Sequence, residues 1–169
     1  MADRLRSERF DPAIHDVSSF ACGEPALDTW LRDHAADADR RHTAATWVWV
    51  ADGEVVGYYA LSAHKVARAE VPGSIGRGGP REIPAVLIGK LALAERLRGR
   101  GLGDLLLADA LTRVLAATQH VAARVVVVDA LVENVARFYE RLGFVRVPGS
   151  LVLVQRVRDV RAALAPDAE

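Results

Sequence analysis

The sequence predicts a mixed α/β (α+β) fold, a sheet with helices packed on it. Three observations carry this. Asp52-Gly53, a two-residue turn pair, joins two runs rich in valine and aromatics, the pattern of an antiparallel hairpin. The run 86–94 reads as a central buried strand, and the unbroken valines within 123–130 suit a strand covered on both faces. Around them lie stretches with helical spacing of apolar residues. The resulting order is helix, hairpin, strand, glycine loop, helix, strand, helix, hairpin.

The first helix starts after Cys22-Gly23-Glu24, with Pro25 suited to its first turn. Leu27, Trp30, Leu31, His34, Ala35 and Ala38 share one of its faces. Thr46–Ala51 and Glu54–Ala63 form the hairpin. His64 to Pro84, with three prolines and Arg68, Arg77 and Arg81, reads as a long functional loop. After the strand 86–94, glycines at 99, 101 and 103 precede an amphipathic helix opened by Asp104. The strand 123–130 leads to a short helix, about 133–142, closed by Gly143. Phe144–Val147, a Pro148-Gly149 turn and Leu151–Val157 make the last hairpin.

The 169 residues suit a single domain over 1–169, with an alanine-rich tail expected to fray from about 159. With 51% hydrophobic residues the chain can bury one core. Twenty-two basic residues balance 22 acidic ones, so a nucleic-acid partner would need a local basic patch. Cys22 is the only cysteine, which excludes an internal disulfide and points to a reduced, cytoplasmic setting. There is no apolar leader at the N-terminus and no run near the roughly 20 residues of a membrane span. The five histidines lack metal-ligand spacing, so no metal is expected.

The segment carrying most chemistry is strand, glycine loop, helix over 86–118. Glycines let backbone N–H groups converge on one point, and a helix N-terminus adds its positive dipole end. Arg98 and Arg100 add charge. This is an anion site, but the Gly-Lys-Ser/Thr of a Walker loop is absent. So is the Gly-x-Gly-x-x-Gly of a dinucleotide fold, since the glycines fall as Gly99-x-Gly101-x-Gly103.

Arg98-x-x-Gly101-x-Gly103 instead resembles the Arg/Gln-x-x-Gly-x-Gly/Ala motif of the GNAT acetyltransferases. A second segment, Glu133 to Phe144 (ENVARFYERLGF), resembles that family's C-terminal motif. Phe138, Tyr139, Gly143 and Phe144 keep the family's mutual spacing. Ala136 stands two residues after Asn134, where the common form has three. The resemblance implies a mostly antiparallel sheet whose splayed strand pair holds acetyl-CoA. It implies that Arg98, Gly99, Arg100, Gly101, Leu102 and Gly103 cradle the pyrophosphate. The backbone of Leu91, Ala92 and Leu93 would pair with the pantetheine arm, and Asn134 and Phe138 would adjoin it. Tyr139 would protonate the departing thiolate. A thiol pKa of about 8.5 and a tyrosine pKa of about 10 suit that transfer.

A narrower resemblance spans about residues 10–157. Phe20-Ala21-Cys22-Gly23, Val55-Val56-Gly57-Tyr58-Tyr59-Ala60-Leu61 and Gly89-Lys90-Leu91-Ala92 look like segments of the GNAT toxins of bacterial toxin–antitoxin modules. Membership implies acetylation of the α-amine of aminoacyl-tRNA, a ribbon-helix-helix antitoxin as partner and a homodimer. Arg40, Arg41, Arg77 and Arg81 are then the candidate tRNA contacts. The alternatives are a GNAT enzyme acting on a protein N-terminus, polyamine or other small amine, and an acyl-CoA-binding module without catalysis. Tyr139 speaks against the last.

Overall fold

A computed structural model describes residues 4–166. In chain order the elements are β1 (Arg6–Arg9), α1 (Pro25–Asp33), α2 (Ala35–Arg40), β2 (Ala45–Ala51), β3 (Glu54–Ala67), α3 (Gly73–Gly76) and β4 (Glu82–Leu93). They continue with α4 (Leu102–Ala117), β5 (Val125–Asp129), α5 (Glu133–Arg141), β6 (Val145–Arg146), β7 (Val152–Arg156) and α6 (Val157–Leu164). The chain groups into two compact units. One holds the chain up to Ser62 with Lys90–Ala110, and the other holds Ala63–Gly89 with Leu111 onward.

In the first unit the strands run in the order β1-β2-β3-β4. The predicted hairpin is present, pairing Ala45↔Leu61 through Ala51↔Glu54. Asp52 and Gly53 both take positive φ (52° and 83°), as a type I′ turn requires. β1 lies on the other side of β2, from Arg6↔Val50 to Arg9↔Trp47. Its sequence, RSER, has no apolar alternation, so nothing in the pattern marks it as a strand. The first helix, read as one piece over 25–38, is two: the backbone steps out of helical geometry at His34 (φ −125°). The hydrogen bonds bracket the step, His34 N–H to the Trp30 carbonyl and Ala38 N–H to the His34 carbonyl, both 2.9 Å. The apolar face therefore continues across it, with Leu31 and Ala35 both buried. The Trp30 ring stacks on Tyr58 at 6.0 Å, and the Tyr58 hydroxyl donates to the Leu27 carbonyl at 2.7 Å.

In the second unit the order is β3-β4-β5-β7-β6. β4 and β5 pair in parallel, Ala85↔Val125 to Ile88↔Val128, while β5–β7 and β6–β7 are antiparallel. Val125 to Val128 are all buried, as the unbroken valine run predicts. The segment 64–84 is more ordered than its glycine and proline content suggests. β3 runs on to Ala67, β4 begins at Glu82, and a 3₁₀ turn (Arg68–Glu70) and α3 fill the gap. Val71 and Ile75 explain the order, because both bury against Ile83, Val125 and Val154. The tail is also more ordered than expected: α6 continues through Leu164 because Val157 and Val160, three residues apart, are buried. The final residues 167–169 of the predicted frayed tail lie outside the described residues.

Candidate active site

In the first unit, β4 delivers the chain to the glycine loop. Ala92 is buried, with Leu91 and Leu93 half-buried on either side. Gly57 of β3 lets this strand approach, since a Cβ there would stand 3.3 Å from the Ala92 carbonyl oxygen. The Ala94 N–H donates to the Val56 carbonyl at 2.8 Å, closing the pairing just before the loop. Gly99 and Gly101 adopt φ +76° and +73°, a region L-residues avoid at a cost of about 1–2 kcal/mol each. A Cβ on either would meet no atom within 4 Å, so the loop faces open space. α4 begins at Leu102, two residues before the predicted Asp104, so Gly103 lies inside its first turn. Backbone N–H groups of a left-handed glycine turn followed by the start of a 16-residue helix form a concavity for an anion.

Arg98 serves this loop differently from what its charge suggests. Its guanidinium donates to the Cys22 carbonyl, and the same group flanks Gly23, where a Cβ would stand 3.1 Å from it. The side chain is thus a brace, and the contribution of Arg98 to the cradle runs through its backbone. Arg100 is exposed. Burial, helped by the Asp28 carboxylate, pushes the Cys22 thiol up to about 11. That keeps it protonated and unreactive at neutral pH.

One support was not anticipated from the sequence. Asp109 of α4 accepts three hydrogen bonds on Oδ2, from Ser7 Oγ at 2.7 Å, Tyr59 OH at 2.9 Å and Trp49 Nε1 at 3.1 Å. The donors come from β1, β3 and β2, so a single carboxylate ties the helix to three strands. Its signal in the sequence is an acidic residue three positions after the buried Leu106, within the apolar run LLLADALTRVLAA.

In the second unit, α5 presents the C-terminal motif. Tyr139 is 4% exposed, between Phe138 (ring centroids 5.3 Å) and Phe144 (5.6 Å). Burial, and secondarily the Asp129 carboxylate, push its phenol well above the ordinary value of 10. It is therefore a proton donor, never a phenolate, at neutral pH. Phe138 is half-buried, and Asn134 is exposed in the first turn. Arg146 of β6 clamps the helix from outside. It holds Glu133 bidentately (2.7 and 2.9 Å) and Glu140 at 2.6 Å, and its hydrogen bond holds the Glu133 carboxyl below the usual range. Gly143 ends the helix at φ +98°, where a Cβ would press on Gln155 Nε2 at 3.0 Å.

The four candidate tRNA arginines differ in freedom. Arg40 and Arg41 both pair with Asp37, at 2.7 and 2.8 Å, so one carboxylate offsets half their charge. Arg77 and Arg81 lie on the segment between β3 and β4; their backbone carbonyls accept from Arg124 Nη2 (3.1 Å) and from the Arg68 N–H (2.9 Å). Among the described residues no three metal-ligating side chains come together, and no helix is long and apolar enough to cross a membrane.

The model of the acetyltransferase (GNAT) domain matches residues 42–146, a stretch that contains both the glycine loop and α5. The chain belongs to the GNAT acetyltransferase family. Among relatives of this acetyltransferase is the tRNA-acetylating toxin of Mycobacterium tuberculosis, 37% identical over 150 residues, which are 88% of this chain and 90% of the relative. Among solved structures, the AtaT toxin complexed with acetyl-methionyl-tRNAfMet superposes with a TM-score of 0.86 at 29% identity, covering 95% of this chain and 99% of that one. A Tyr-to-Phe mutant of AtaT, bound to the C-terminus of the antitoxin AtaR and acetyl-CoA, gives 0.82 at 27% identity, covering 97% and 100%.

Proposed function

We propose that this acetyltransferase moves an acetyl group from acetyl-CoA to the α-amine of an aminoacyl-tRNA, and so blocks translation as the toxin of a toxin–antitoxin module. The observation that carries the substrate is the identity to a tRNA-acetylating toxin along nine-tenths of that relative. The open left-handed turn at Gly99 and Gly101 fits the co-substrate's pyrophosphate. Acetyl-CoA supplies the acetyl group as a thioester.

The whole chain then works as one catalytic domain. Loop amides from Arg98 to Gly103 hold the pyrophosphate. The backbone of Leu91 to Leu93, the β4 stretch beyond its ladder with β5, pairs with the pantetheine arm and offers an N–H to the thioester carbonyl. Asn134 and Phe138 border the same arm. The amine nitrogen bonds to the carbonyl carbon as the carbon–sulfur bond breaks, the phenol of Tyr139 gives its proton to the leaving thiolate, and the proton shed by the new amide nitrogen passes through water and restores the phenol. An α-amine titrates near 8, so a useful fraction is neutral without a dedicated base. Arg77 and Arg81 contact tRNA phosphates, with Arg40 and Arg41 weaker because Asp37 offsets them. The antitoxin is of the ribbon-helix-helix type, the enzyme is a homodimer, and it acts in the cytoplasm.

The test is incubation with acetyl-CoA and aminoacylated tRNA, followed by mass spectrometry of the released amino acid. N-acetylated amino acid supports the reading. Acetylation of a peptide N-terminus or a polyamine, with charged tRNA untouched, overturns it.

A further inference from the structure

A recess in the second unit is lined by none of the residues assigned above. Its volume is about 360 Å³, within the size of small-ligand pockets, and Thr118, Val157, Arg124, Arg156, Arg158 and Arg161 line it. Its charge is lopsided. Asp159 is the carboxylate paired there, accepting from Arg156 Nε at 2.7 Å with Arg158 Nε at 4.0 Å. Four guanidiniums against one carboxylate leave a formal surplus of three positive charges. In a chain with zero net charge that is a strong local concentration.

The guanidiniums are placed for contact with something outside the chain. Arg158 and Arg161 are exposed, the Arg158 side chain at 78%. Arg124 connects the recess to the glycine turn after α3. Its Nη2 donates to the Arg77 carbonyl, and its Nε would stand 3.3 Å from a Cβ on Gly79. The backbone of Arg77 is therefore tied to the recess through Arg124. Forked guanidinium donors over an aliphatic floor match phosphate oxygens in geometry and charge.

We propose that this arginine recess is a binding subsite for neighbouring backbone phosphates of the RNA substrate. The proposal rests on the aminoacyl-tRNA reading. RNA is the occupant favoured because Arg124 ties the recess to the backbone of Arg77, a candidate tRNA contact, and because a polyphosphate chain uses several separated guanidiniums where one free anion uses two or three.

The experiment compares wild type with Arg158→Ala/Arg161→Ala, both side chains being exposed so that the fold is retained; a thermal melt checks this. Binding of fluorescently labelled aminoacylated tRNA is followed by anisotropy from 50 to 200 mM salt. Two lost phosphate contacts flatten the slope of log K against log salt by about 1.4–1.8 and weaken low-salt affinity about tenfold or more. Acetyl-CoA affinity, measured by calorimetry, stays at the wild-type value. Titration with inorganic phosphate gives the second arm. If wild type acetylates charged tRNA and the double variant keeps its salt slope, the subsite is overturned while the substrate reading stands. If the variant loses inorganic-phosphate binding but not tRNA binding, the recess takes a free anion and the RNA assignment fails. If wild type leaves charged tRNA unmodified, the substrate reading fails, and this proposal falls with it.

Discussion

The glycine loop and the helix α5 carry the two motifs of the acetyltransferase by opposite means. In the proposed function the loop works through its backbone. Its essential positions, Gly99 and Gly101, have no side chain, face open space and sit at φ values that L-residues avoid. Every side chain of consequence nearby is a brace: Arg98 on the Cys22 carbonyl, Asp109 on three donors. In α5 the reverse holds. The backbone is an ordinary nine-residue helix, and in the proposed mechanism its one buried phenol carries the chemistry. Substitution should therefore act on binding in one region and on turnover in the other.

The largest effect tests the backbone half. Gly101→Glu forces a side chain onto a left-handed residue and puts a carboxylate where the cradle collects an anion. Acetyl-CoA binding by calorimetry should disappear, while stability falls by only the about 1–2 kcal/mol of the left-handed backbone, since the Cβ meets nothing. Retained binding would place the pyrophosphate elsewhere and dissolve the contrast.

Next comes the side-chain half. Tyr139→Phe should lower kcat by about 10²–10⁴-fold, the usual range for a general acid, with acetyl-CoA affinity preserved. The sign of its pH dependence follows from the raised phenol. The acid form is the neutral one, so activity is lost only as pH climbs past a value above 10. The wild-type profile should accordingly rise through the amine's pKa, near 8, and show no falling limb below about pH 10. A falling limb near 8 or 9 would mean another group supplies the proton.

The braces separate stability from chemistry. Asp109→Ala leaves Ser7, Tyr59 and Trp49 without their shared acceptor and should cost about 2–4 kcal/mol in urea unfolding. Asp109→Asn keeps an oxygen and should cost less. Tyr139→Phe, by contrast, should leave unfolding nearly unchanged.

What was legible in the sequence follows the same division. Backbone chemistry writes itself in glycines, so Asp52-Gly53, Gly99, Gly101 and Gly143 were readable, and each has a positive φ. An apolar stretch marked β4 and a valine run marked β5. What escaped was decided by tertiary contact. β1 is a strand because β2 offers it an edge, not because RSER prefers one. The segment 64–84 and the tail looked irregular, and Val71, Ile75, Val157 and Val160 order them by burial that no local pattern announces. Nothing near Arg98 in the sequence announced that its guanidinium would donate to the Cys22 carbonyl. Asp109 was passed over because one acidic residue in an apolar helix face has no meaning until its donors arrive from three distant strands.

A smaller effect probes the end of α5. Gly143→Ala must hold φ near +98° and push Gln155 Nε2 from 3.0 Å. The expected loss is about 1–2 kcal/mol in urea unfolding, from the left-handed backbone alone. Turnover per folded molecule should survive, since the Arg146 clamp on Glu133 and Glu140 still fixes the helix. A kcat drop as large as that of Tyr139→Phe would mean the glycine positions the phenol, and the side-chain half would then lean on its backbone too.

The smallest effect has the opposite sign, and it calibrates the braces. Thr46 in β2 is 1% exposed, and its Oγ1 has no hydrogen-bond partner among the described residues. A buried hydroxyl without a partner carries its desolvation cost unrelieved. Thr46→Val keeps the β-branched shape that suits a strand and removes that cost. The backbone is untouched, because the Phe10 N–H donates to the Thr46 carbonyl at 2.9 Å, not to the hydroxyl. The variant should gain about 1 kcal/mol in urea unfolding, with acetyl-CoA affinity unchanged. If it loses stability instead, a water serves that hydroxyl. The penalty for an unsatisfied polar atom in this unit is then smaller than the 2–4 kcal/mol assigned to Asp109→Ala presumes, and that figure would have to come down with it.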